Sequence, residues 1–131
     1  MIPKQYDVLL DGQKIGTTEL EKADAPMGVV FGKIAFVDTV SGYDFFKTYC
    51  TNNKIEMSFC GHNDEGLSMN DLSCVKVVSR DGSEIQGLAV SIFGMDSEGF
   101  DVEIIGIPYP FYEIEFPHHV KSYHEQFEAK E

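Results

Sequence analysis

An α+β fold is predicted for this chain by three observations: extended runs with alternating polarity dominate it, short turn-forming connections join those runs, and the apolar period changes to a helical one in two places. The expectation is a single domain over residues 1–131. Six to eight strands should form a mainly antiparallel, twisted sheet, with one helix inserted near 42–52 and another near 118–127.

The first run, Gln5 to Leu10, places Tyr6, Val8 and Leu10 on one side. Asp11-Gly12 supplies the residues that a tight hairpin turn needs at positive φ, so a return strand over Lys14 to Leu20 is expected. Glu21 to Pro26 breaks the pattern. A further extended run from Met27 to Val37 contains Gly28 and Gly32, which suggest a bulge or a close backbone approach in a central strand. At Ser41 the period changes. Ser41 to Asp44 is a capping signal, Tyr43, Phe45, Phe46, Tyr49 and Cys50 form a helical stripe, and Asn52-Asn53 can end the helix because Asn tolerates the left-handed conformation.

Ile55 to Cys60 then reads as a strand, and CGHNDEG (residues 60–66) interrupts it. From Cys74 the β signal continues through Cys74 to Ser79, a turn at Asp81-Gly82, Glu84 to Phe93, a loop at 96–99 and Phe100 to Ile107, as hairpins in series. Pro108, Pro110 and Pro117 hold the residues before them extended, which argues against helix before Pro117. Pro117 suits a first helical position, and Val120, Tyr123 and Phe127 give the final helix one apolar stripe.

Composition bounds the function. Hydrophobic residues make up 43% of the chain, and its 131 residues suffice for one core. Against 22 Asp and Glu stand 10 Lys and Arg, of which only Arg80 is an arginine, for a formal charge of −12. Such a surface repels phosphate backbones, so no nucleic-acid partner is expected, and a basic protein fits better. Cys50, Cys60 and Cys74 lack CxxC spacing and read as reduced, largely buried thiols of a cytoplasmic protein. The N-terminus shows no signal-peptide pattern and no apolar run reaches membrane-spanning length, so no membrane partner is expected.

CGHNDEG gathers a thiol, an imidazole, an amide and two carboxylates. A small enzyme or metal-binding domain would use Cys60, His62 and His118 or His119, but metal sites typically show CxxC or HExxH spacing, and a triad is drawn from separate segments. Asn63-Asp64-Glu65-Gly66 also has ordinary turn chemistry. Neighbouring positions on a helix point about 100° apart, so His118 and His119 are not expected to chelate together. No cofactor and no metal is called for, and a noncatalytic protein is the expectation.

Carboxylate patterning is the most ordered signal. Asp101 and Glu103 alternate with Phe100, Val102 and Ile104, and Glu113 and Glu115 alternate with Tyr112, Ile114 and Phe116. Read as strands, these four acids share a solvent face. The same pattern would also serve to keep the outer side of a half-buried sheet wet. From residue 96 onward the chain carries nine acids against Lys121 and Lys130. Tyr109, bracketed by prolines, joins Asp101, Glu103, Glu113 and Glu115 as a candidate partner contact, since tyrosines serve as interface anchors.

The segment Thr18 to Val30, TELEKADAPMGVV, looks like stretches in small bacterial proteins. In overall profile the chain resembles the small acidic immunity proteins of bacterial toxin systems, the contact-dependent inhibition type among them. That resemblance implies a cytoplasmic protein that masks a basic toxin. It carries over no individual residue.

Overall fold

The computed structural model describes residues 4–61 and 65–128, the last two as backbone only. Ten strands among them form two antiparallel sheets. The four-stranded sheet has the order β5 (Ala35–Phe36), β2 (Gln13–Thr18), β1 (Tyr6–Leu10) and β8 (Val75–Ser79). In the six-stranded sheet the order is β3 (Lys22–Asp24), β4 (Val29–Lys33), β10 (Gly99–Ile105), β9 (Ala89–Met95), β7 (Gly66–Met69) and β6 (Ser58–Cys60). The fold is α+β. Its strand count exceeds the expected six to eight because Lys22–Asp24, Ala35–Phe36 and Gly66–Met69 are too short to carry a pattern.

The β1–β2 hairpin forms as the sequence dictates, with Asp11 at φ 51° and Gly12 at φ 81° joining Leu10 to Gln13. Two left-handed residues are what a type I′ turn requires. The run from Met27 to Val37 does not stay in one strand. It divides at Ile34, whose N–H donates to the Phe100 carbonyl at 2.8 Å, so that β4 pairs in the larger sheet and β5 in the smaller. Gly32 is a close-approach glycine: a Cβ there would meet Thr18 Oγ1 at 2.7 Å and the Leu20 Cα at 2.9 Å.

The stretch read as one strand from Glu84 to Phe93 also divides. Ser83 to Ile85 lies against β8, with Ile85 N–H donating to the Val77 carbonyl at 2.8 Å, and only Ala89–Met95 enters the larger sheet. Because β8 and β9 belong to different sheets, the expected series of hairpins holds for β9–β10 alone in that region.

Helix α1 (Gly42–Asn52) starts where the capping signal puts it, the Ser41 hydroxyl accepting from Asp44 N–H at 3.1 Å. Its end is built differently from expectation. The left-handed residue is Lys54 (φ 57°), not an asparagine, and Ile55 N–H returns to the Cys50 carbonyl at 2.8 Å. That return bond marks a Schellman closure. Two further helices, α2 (Phe111–Glu115) and α3 (Pro117–Glu128), are separated by Phe116 at φ −122°. Proline 117 therefore opens α3 as expected, but helix does begin before it.

One continuous apolar core lies among these elements, with Tyr6, Val8 and Leu10 of β1, Phe100, Val102 and Ile104 of β10, and Phe46 of α1 all buried. Phe46 packs on Phe100 and Phe36 with ring centroids 5.4 and 5.9 Å away, which fixes α1 against β10 and the end of β5.

Candidate partner-binding surface

The four patterned carboxylates do not share a face. Asp101 is 5% exposed and sits beneath Lys33 Nζ at 3.1 Å and Lys22 Nζ at 3.9 Å, tying β10 to β4 and β3. Glu103 is on the same side of β10 and half-buried. Glu113 and Glu115 are on a helix rather than a strand, which separates them. Glu113 is exposed, whereas Glu115 turns to Tyr6, whose hydroxyl donates to it at 2.7 Å, and pairs with Lys4. Burial, reinforced by this carboxylate, pushes the Tyr6 phenol far above its ordinary range.

The segment from Ile107 to Phe116 is instead stitched onto residues 24–29. Tyr109 donates its hydroxyl to the Ala25 carbonyl at 2.8 Å, Tyr112 donates to Val29 O at 3.0 Å, and Ile107 N–H donates to Gly28 O at 2.9 Å. The Tyr109 and Tyr112 rings stack with centroids 5.2 Å apart. Partial burial and the nearby Glu113 charge raise the Tyr109 phenol. This places three exposed apolar side chains on adjoining segments: Met27 at 67%, Tyr109 at 47% and Ile114 at 74%. Asp24 and Glu113 flank them. Exposed apolar anchors with charged neighbours are common at protein interfaces.

Of the candidate residues, Tyr109 and Glu113 thus meet on one surface, while Asp101 and Glu115 are engaged within the fold. Met27 and Ile114 were not legible. Ile114 follows the alternation that assigns it to a core, and Met27 begins an apolar run.

Among the described residues, Cys60 does not converge with His118 or His119. Cys60 ends β6, exposed, at one edge of the six-stranded sheet, and α3 packs against β3 at the other. Five strand spacings of about 4.8 Å place those edges roughly 24 Å apart. His62 lies outside the described residues. Cys60 pairs with Gly66 where β6 and β7 run antiparallel. His119 is a core histidine, with Nε2 2.7 Å from the Leu20 carbonyl and its ring 5.7 Å from Phe116. The His118 ring lies 4.1 Å from it rather than pointing away. Partial burial, with the neighbouring His119, holds His118 below the usual imidazole range. No group of three or more His, Cys, Asp or Glu among the described residues has the geometry to hold a metal ion.

Cys60 also departs from the expectation of largely buried thiols; Cys50 is buried and Cys74 half-buried. No helix among the described residues is long and apolar enough to cross a membrane. Comparison of the chain with protein-family models, with curated proteins and with solved structures finds no match.

Proposed function

We propose that this is a noncatalytic, cytoplasmic binding protein that masks a basic protein partner, in the manner of an immunity protein neutralising a toxin. The observation that carries this reading is the exposure of Met27, Tyr109 and Ile114 on adjoining segments of a chain of net charge −12. The chain's cations are largely engaged at home: Lys4, Lys14, Lys22, Lys33, Arg80 and Lys121 each pair with an acid of the same molecule. The remaining acids set the outward field, which speeds encounter with a basic surface, while desolvated aromatic and aliphatic anchors hold the complex once formed.

Mixing the protein with the product of the neighbouring gene at low salt, followed by size-exclusion chromatography, tests this directly. A one-to-one complex is expected. Tyr109→Ala and Ile114→Asp should each weaken it by about tenfold or more with an unchanged circular dichroism spectrum. A complex indifferent to both substitutions, or no complex under conditions where charged association is strongest, defeats the proposal.

A further inference from the structure

We propose that the groove between α3 and the β3 edge of the six-stranded sheet seats an arginine-bearing segment of the basic partner, an inference that rests on the masking function and deepens it. The groove encloses about 720 Å³, room for several side chains rather than an ion. Its walls carry Glu21 and Asp24 at the β3 edge, Phe31 of β4, Glu103 of β10 and Tyr123 of α3, and among the described residues no lysine or arginine lines it.

The chemistry is that of a guanidinium receptor. Glu21 is held in place by Lys33 N–H, which donates to its Oε2 at 3.0 Å. The Asp24 and Glu103 carboxylates have no hydrogen-bond or ion-pair partner among the described residues. Two residues along the same face of β10, Asp101 has two lysines. Among the described residues Glu103 therefore differs from its neighbour in lacking a counter-ion, not in its position on the strand.

Glu103 pairs across the strands with Phe31, so carboxylate and ring lie side by side. A flat guanidinium can stack on the ring while its N–H groups reach the acid, a geometry that a lysine ammonium matches less well. Lys22 Nζ already stands 5.7 Å from the ring centroid, so an arriving guanidinium has to displace it toward its other partner, Asp101. The groove also adjoins the segment on which Tyr109 is held. Ala25 lines it and holds Tyr109, and Asp24 borders both.

Capped hexa-arginine and hexa-lysine peptides with a fluorescent label test this by anisotropy at about 150 mM salt, where diffuse charge attraction is reduced. The arginine peptide should bind about tenfold more tightly than the lysine peptide. Glu103→Gln, nearly isosteric, should weaken arginine binding about tenfold, and Phe31→Leu should remove the preference for arginine over lysine. Glu56→Gln and Asp38→Asn, acids away from the groove, should change neither affinity by more than about twofold. Equal binding of the two peptides, or equal losses in the control variants, overturns the proposal. If the neighbouring-gene product binds and Glu103→Gln leaves that complex intact, the groove assignment fails and masking stands. If the arginine peptide binds selectively and no basic protein does, masking fails and the groove assignment stands.

Discussion

Asp101 lies 3.1 Å from Lys33 Nζ and 3.9 Å from Lys22 Nζ, its own side chain 6% exposed and the lysines about half exposed. The carboxylate has lost most of its water, and the two ammonium groups replace it at one end while keeping their own hydration at the other. Asp101→Asn removes the charge with little change in volume, so two cations would then face an amide. The full penalty for breaking a buried ion pair does not apply, because water still reaches both lysines. A loss of about 1–2 kcal/mol is expected from urea unfolding followed by far-ultraviolet circular dichroism. Partner affinity should not move at the salt concentration used for the complex. A fall in affinity without a fall in stability would return Asp101 to the interface. The alternation of Phe100 to Ile104 correctly placed Asp101 and Glu103 on one side of the strand. What separates them is the register that sets Lys33 opposite Asp101 and Phe31 opposite Glu103, a pairing between residues some 70 positions apart that no local pattern encodes.

At the scale of elements, α1 was legible because several independent signals coincide there: a capping serine, a helical apolar stripe and a polar end. Residues 112–116 were misread because Tyr112 and Phe116 are four apart, a spacing that places them on one side of a strand and also on one side of a helix. Ile114 decides between the two, and its 74% exposure is the helical outcome. The rule that a residue before proline avoids helical dihedrals holds at Phe116, at φ −122° and ψ 54°, without excluding the helix before it. Gly42 provides a test of packing against propensity. It opens α1, where replacing glycine by alanine in a helix would gain up to about 1 kcal/mol. Yet a Cβ at that position would lie 2.7 Å from a ring carbon of buried Phe100. Relieving such overlap costs about 1–3 kcal/mol, so packing should win. Gly42→Ala is expected to lower the thermal midpoint, and a rise would show that the Phe36, Phe46 and Phe100 cluster yields easily.

For the molecule as a whole, the class α+β followed from the mixture of strand and helix signals, but the division into two sheets did not. That division depends on the chain crossing between sheets at Ile34 and on β8 and β9 parting company, and neither event leaves a mark on apolar periodicity. Net charge, by contrast, is fully written in the sequence, and it predicts that added salt acts in opposite directions on the free protein and on its complex. Within the fold, most of the ion pairs are 3–4 Å long, such as Lys33 with Asp101 at 3.1 Å and Lys14 with Asp7 at 3.3 Å. The Debye length is about 10 Å at 0.1 M salt, so these contacts are weakened less than the repulsion among acids spread over the surface. Exposed pairs of this kind are each worth only about 0–1 kcal/mol, whereas a formal charge of −12 repels itself throughout the folded state. Raising sodium chloride from about 20 to 500 mM should therefore raise the thermal midpoint of the free protein. If the proposed masking function holds, the same change should slow association with a basic partner by tenfold or more while altering dissociation much less, because steering acts before contact and the exposed Met27, Tyr109 and Ile114 would act after it. Calorimetry of the free protein and stopped-flow measurement of the complex read the two effects separately. A midpoint that falls with salt would mean that local ion pairs outweigh net repulsion, and an association rate insensitive to salt would remove charge from recognition.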